Sequence, residues 1–256
     1  MKRFCLVIVL LSLAACARPI PPQDPEAVSR IWSVLHPRAE SSDRITARFS
    51  LNVESKDRTG RLTGQIWGLP TSVMRMDLAS GTGASVAMIR ETADLWLAYI
   101  PSENKAYHHA QAKAGLALFQ IPVPFDAKQI SSLFLGNAAP ILGGEYSRVE
   151  QLRNGALRFS FARGDVSHLD VLPDMSTLFF QGRKGWTLLC ERPYSSPVFP
   201  DHQLYDKFTF TSPRDGRAVL RIKSLEPGGA WLTTDLDLTL PEDTQWMRII
   251  PSSDYN

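Results

Sequence analysis

"ITARFSLNV", residues 45–53, alternates without a break. Ile45, Ala47, Phe49, Leu51 and Val53 fall on one side, and Thr46, Arg48, Ser50 and Asn52 on the other. A period of two with one apolar side predicts a strand that buries one face. Four further short segments follow: "LTGQIWGL" (62–69), "VMRMDLA" (73–79), "SVAMIRE" (85–91) and "DLWLAYIP" (94–101). Ser80-Gly81-Thr82-Gly83 and Glu103-Asn104 supply turn chemistry for hairpins between them. Strands joined by such short turns predict a strongly curved antiparallel sheet.

The middle of the chain breaks this rhythm. Ala110 to Phe119 is rich in Ala and Leu and reads as helical, and "IPVP" (121–124) is an extended break. Asp126 stands three residues before Gln129, the spacing of a capping box. Ile130, Leu133 and Phe134 then form an apolar stripe that Gly136 ends. Strands resume at 146–152, 157–162, 169–172, 178–181 and 186–191. A Pro-rich loop is predicted over 195–202, and strands at 208–211, 218–224 and 231–240 finish the sheet. Upstream, Asp24 can cap a helix with Pro25 in its first turn, and Val28, Ile31, Trp32 and Leu35 give it one apolar stripe before Pro37. The sequence has no internal repeat and no flexible linker.

The first residues carry a different signal. Lys2 and Arg3 precede an apolar run from Phe4 to Leu13, too short to span a bilayer, which reads as a secretory leader. Leu13-Ala14-Ala15-Cys16 resembles the lipobox of bacterial lipoproteins. That resemblance implies cleavage before Cys16 and acylation of its thiol and amine. It divides the chain into a leader (1–15), a lipidated tether (16–25) and a body (26–256). Four prolines between Arg18 and Pro25 make the tether extended and stiff. Ala17, rather than Asp, implies by the same resemblance the periplasmic face of the outer membrane. Cys5 leaves with the leader, so Cys190 has no partner for an intrachain disulfide once Cys16 is acylated.

Removing Lys2 and Arg3 from the 28 basic residues leaves 26, against 26 acidic ones. A neutral body lacks the basic footprint of a nucleic-acid binder. Signs of chemistry are sparse: G-x-S-x-G, P-loop, H-E-x-x-H and C-x-x-C patterns are all missing. Adjacent His108 and His109 point to opposite faces of a strand and suit one metal poorly. Asp165, His168 and Asp170 have no placed nucleophile. The expectation is a protein that is not an enzyme and needs no cofactor.

Residues 44–89 and 116–136 together resemble the LolA/LolB superfamily of lipoprotein-sorting proteins. Phe49, Val53, Trp67, Pro122, Val123, Leu133, Leu135 and Gly136 stand in comparable places, and "DLDLTLPEDTQWMRI" is similar to the family's last strand. The resemblance implies a mainly β fold with a few helices: an unclosed, half antiparallel β-barrel with a helical lid over an apolar cavity. It implies acyl chains of lipoproteins, or another lipid, as ligand, and a periplasmic carrier protein as partner. Phe49, Leu51, Trp67 and Met74 are candidates to line the cavity. So are Met76, Met88, Trp96 and Tyr99, with Ile130, Leu133 and Phe134 from the lid. The set covers both strand parities. The hairpin at Thr82 departs from the family, because it holds no large apolar side chain to enter a membrane. The competing expectation is an accessory lipoprotein of an envelope assembly that uses the curved sheet as a docking face.

Anchoring through Cys16 has a direct consequence. Cys16→Ala is expected to move the protein from the membrane fraction to the soluble periplasmic fraction. Retention of the variant in membranes through a lipid-modified N-terminus would refute the assignment.

Overall fold

The computed structural model describes residues 22, 24–36, 44–56, 59–112, 124–214 and 216–249. Cys16 and the leader, most of the tether, most of the helix expected over 110–119, and Pro122 and Val123 lie outside the described residues. Three helices are used below: α1 (Pro25–Leu35), α2 (Ala127–Phe134) and α3 (Ala139–Leu142). The first meander comprises β1 (Ile45–Glu54), β2 (Thr59–Gly68), β3 (Met74–Ser80), β4 (Ser85–Glu91), β5 (Trp96–Ile100) and β6 (Lys105–His109). The second comprises β7 (Arg148–Gln151), β8 (Leu157–Ser160), β9 (Val166–Val171), β10 (Leu178–Gly182), β11 (Thr187–Ser196), β12 (Phe199–Ser212) and β13 (Gly216–Pro227). β14 (Gln245–Arg248) ends the described chain.

Among the described residues all fourteen strands belong to one sheet, in the order β14-β6-β5-β4-β3-β2-β1-β13-β12-β11-β10-β9-β8-β7. Each meander is antiparallel, and the two join where β1 pairs antiparallel with β13, from Ile45–Pro227 to Glu54–Arg217. β14 adds to the free edge of β6 in parallel. The sheet does not close on itself, so the architecture is the mainly β, unclosed half-barrel with helical elements that the sequence resemblance implies. Helices α1 and α2 pack their apolar stripes into the core on the inner face.

Local chemistry sets the helix ends. Asp24 Oδ1 accepts the N–H groups of Glu26 (2.9 Å) and Ala27 (3.1 Å), which starts α1. Val28, Ile31 and Leu35 are buried, while Trp32 is half-buried. Its ring sits 4.9 Å from Tyr146 and 5.7 Å from Phe159, so α1 fills the second meander with aromatic packing. In α2 the capping box is present: Gln129 N–H donates to Asp126 Oδ1 (2.7 Å) and Asp126 N–H to Gln129 Oε1 (3.2 Å). Gly136 ends the helix at φ +72°, and a Cβ there would lie 2.2 Å from the Gln203 carbonyl oxygen. Only glycine satisfies both the left-handed backbone and that close approach.

Two segments differ from the sequence expectation. The Pro-rich stretch 195–202 is a hairpin between β11 and β12 rather than a loop. Pro193 pairs with Tyr205 inside β11, beside a register shift between Tyr194 and Ser196. Proline is tolerated where a ladder is interrupted and its missing N–H is not needed. Residues 231–240 do not form a strand either. They run as a strap with one 3-10 turn (Thr233–Leu236) across the outer face of the first meander. The strap starts where Gly228 N–H donates to Arg44 O (2.6 Å) and Arg44 stands 5.2 Å over the Trp231 ring. Arg75 Nη1 then donates to Asp237 O (3.0 Å) and Arg90 pairs with the Asp237 carboxylate (2.7 Å). Leu238 and Leu240 pack on Leu97, Tyr99 and Met88, forming a second, smaller core. The apolar alternation of 231–240 therefore reflects a covering segment rather than a ladder.

With both meanders sharing one core, unfolding is expected as a single transition. Tryptophan fluorescence and far-ultraviolet circular dichroism should give coincident midpoints in urea. Two separated transitions would show that the meanders fold independently.

Candidate functional site: an apolar cavity beneath α2

Helix α2 lies on the inner face against β3 and β12, one strand from each meander. Phe134 is wedged between the halves, its ring 6.2 Å from Phe49 on β1 and 5.5 Å from Phe208 on β12. Between helix and sheet a partly open cavity of about 60 Å³ remains. Ile130, Leu133 and Phe134 roof it, with Phe125 from the segment before the helix. The first meander contributes Phe49, Leu51, Met76 and Leu78. The second contributes Leu188, Phe208, Phe210, Ala218 and Leu220. Every lining side chain is apolar, so the space offers no hydrogen bond that would hold water.

The shape depends on one glycine. Gly64 is the register partner of Phe49, and a Cβ at Gly64 would lie 2.2 Å from the Phe49 ring. The distal end of the ring therefore occupies the space that the absent side chain of Gly64 leaves on β2. Phe125 closes the other flank, edge-on to Trp186 (5.2 Å) and Phe210 (6.3 Å).

The residues chosen from sequence separate into three groups. Phe49, Leu51, Met76, Ile130, Leu133 and Phe134 line the cavity. Met74 and Trp96 are fully buried in the main core but do not reach the space. Trp67, Met88 and Tyr99 sit on the outer face: Arg75 covers Trp67 at 5.4 Å, Met88 and Tyr99 lie under the strap, and Tyr99 OH donates to Asn104 Oδ1 (3.1 Å). Strand parity decides between the groups, since Ile66 and Ile89 take the inner positions beside Trp67 and Met88. Leu78 was within reach of the period of two that links Met74 and Met76. The β11–β13 lining was not, because only the pairing of β1 with β13 brings it opposite.

One charged group adjoins the roof. Glu91, at the end of β4, is 1% exposed. Its Oε2 accepts Ala127 N–H (2.8 Å) and its Oε1 accepts Lys128 N–H (3.4 Å), both from the first turn of α2. Burial, and then the nearby Asp126 carboxylate, push the Glu91 carboxyl up to about 7, against those two hydrogen bonds. At the other end of α2, Leu135 O lies 2.7 Å from His202 Nδ1 on β12.

His108, His109, His168 and Asp170 all sit in structural surroundings. Asp170 holds Arg158 with two bonds of 2.7 Å, Ser167 Oγ donates to Gln181 O (2.8 Å), and burial lowers the His168 imidazole. His108 stacks edge-on to Trp246, and His109 Nδ1 accepts Gln111 N–H (2.8 Å). Among the described residues no three His, Cys, Asp or Glu side chains gather to hold a metal. Burial also pushes the Cys190 thiol up, which leaves it inert.

No protein-family model matches the chain, and no curated protein matches it in sequence. Solved structures do match its fold. A LolA superfamily protein from Nitrosomonas europaea is 10% identical with a TM-score of 0.53, over 83% of this chain and 96% of that one. A domain named for outer membrane lipoprotein sorting, from Vibrio parahaemolyticus, is 11% identical with a TM-score of 0.51, over 83% and 95%. A DUF1329 family protein from Desulfovibrio piger is 12% identical with a TM-score of 0.52, over 83% and 95%. The chain thus shares the fold of these proteins.

Gly64→Ala is expected to force the Phe49 ring off β2 and destabilise the fold by about 1–3 kcal/mol, as overpacking does. Urea denaturation measures this. An unchanged midpoint would show that the ring moves freely.

Proposed function

We propose that the protein is a lipid-anchored binding protein of the periplasmic face of the outer membrane. It accepts the acyl chains of lipoproteins, or another apolar ligand, between α2 and the sheet, in the service of outer-membrane lipoprotein localisation. The observation that carries this reading is the wholly apolar lining of the cavity under α2. An uncharged, aromatic- and Met-lined space suits a flexible hydrocarbon that needs no fixed hydrogen bond. The fold likeness to a domain named for outer membrane lipoprotein sorting is in keeping with this reading. In this reading an anchor at Cys16 holds the body, residues 26–256, close to its membrane.

The cavity as it stands, about 60 Å³, is smaller than the roughly 150 Å³ that takes a benzene. A long chain therefore enters only when α2 lifts. Each methylene buried contributes about 0.8 kcal/mol, which offsets the apolar contacts that α2 gives up. The Ser80–Gly83 hairpin, with Ser80 Oγ and Thr82 Oγ1 2.8 Å apart, is polar. Delivery of cargo into a membrane by an apolar hairpin residue is not part of the proposal.

A fluorescent fatty acid titrated into the Cys16→Ala protein tests the reading. Saturable micromolar binding is expected, weakened about tenfold or more by Phe134→Asp. Ala218→Leu, which fills the cavity from the sheet side and leaves α2 intact, should weaken it too. A folded protein that binds no fatty acid would favour the docking-face reading instead.

A further inference from the structure

Glu91 is a buried acid: the fold calls for an acceptor at this position, but neither the fold nor the cavity lining calls for an ionisable one. It leaves β4 and ends in the first turn of the helix that roofs the cavity. An apolar acceptor-free residue there would leave both N–H groups at the start of α2 without this partner, and the carbonyl oxygen of a Gln would accept from that turn without charge. The position instead carries a second carboxyl beside the Asp126 cap, so one helix start faces two acids. We propose that Glu91 is a proton-controlled latch on α2: the helix lies closed over the cavity while Glu91 is protonated and is released when Glu91 ionises.

The physics is a competition between two environments. In the closed lid the carboxylate is out of water and near a like charge. In the open lid it is solvated. Among the described residues, the groups that face it are few. Asp126 disfavours its charge, and Lys128 and the two helix N–H groups favour it. β3 and β5 place Met74 and Trp96 beside it in register, and Arg90 next to it on β4 is turned outward to Asp237. The balance favours the neutral form, because the carboxyl lies at about 7 in the closed lid against 4.5 for an ordinary Glu. An acid whose closed-state value is raised stabilises closure fully below about 4.5. That contribution is lost as pH rises toward 7 and stays lost above it. His202 meets the other end of α2 at Leu135 O and keeps that end seated, so the first turn is the part that lifts.

The inference rests on α2 being the lid of the proposed site, yet its test needs no ligand. Hydrogen exchange of α2 amides is compared with that of β10 in the same Cys16→Ala sample at pH about 5.5 and about 8, after correction for intrinsic rates. The α2 opening constant is expected to rise roughly 20-fold across that interval, with β10 unchanged. Glu91→Gln should flatten the α2 profile. Asp126→Asn keeps a good cap and should move the midpoint toward acid, while His202→Asn should leave the midpoint in place. An α2 profile that is flat in the wild type, or that persists in Glu91→Gln, overturns the latch. Fatty acid binding that persists beside a flat profile removes the latch alone. A pH-dependent profile without binding leaves the latch and removes the ligand.

Discussion

The pairing of β1 with β13 makes a site out of two separate ribbons. Each meander turns an apolar face inward, and an isolated sheet has nothing to bury that face against. Joined edge to edge along Ile45–Glu54 and Gly216–Pro227, the two sides turn toward each other and share α2. A bulge between Arg48 and Phe49 sits in the middle of that ladder, where an extra residue increases twist and bend. Ile45 and Ala47 above it are fully buried, while Phe49 and Leu51 below it line the cavity. The strand that closes the core is therefore the strand that floors the site.

The two helices treat their halves differently. Helix α1 fills the second meander, where Trp32, Tyr146, Phe159 and Phe161 pack ring on ring. Helix α2 is short, and its buried side mixes Leu133 and Phe134 with Ser131 and Ser132. Ser131 spends its hydroxyl on Ala127 O (2.8 Å), so it is satisfied but contributes little dispersion. A helix seated by so small an apolar face is held as much by its ends as by its middle. Those ends are an acid on β4 and an imidazole on β12.

What could be read in the sequence follows from which signals are local. The alternation of 45–53, the Asp24 cap and the Asp126–Gln129 box are decided within a few residues, and the structure has them as read. The inner parity of β2, β4 and β5 was not decidable, because both faces are apolar: the core takes Ile66, Ile89 and Trp96, and the strap covers Met88, Leu97 and Tyr99. A strap has no period of its own, so 231–240 resembled a strand. Leu188, Phe208 and Phe210 join the cavity through a long-range ladder that no local pattern announces. Glu91 looks like the polar end of a strand, and only the arrival of α2 makes it a buried acid.

The strap also sets an order of events in time. It holds Asn104 through Thr244, 140 residues further along the chain, and β14 then completes the edge of β6. Contacts of such separation form slowly, because the loop entropy is spent before they reward it. A chain that is made from its N-terminus exposes the β6 edge, and the bare Met88, Leu97 and Tyr99, until residues 238–248 arrive. Through that interval the first meander is an open template for strand pairing with other chains. Residues 238–248 thus act as the chain's own late chaperone, and a protein cut short before Leu238 would keep its cavity-forming strands while losing its protection against aggregation.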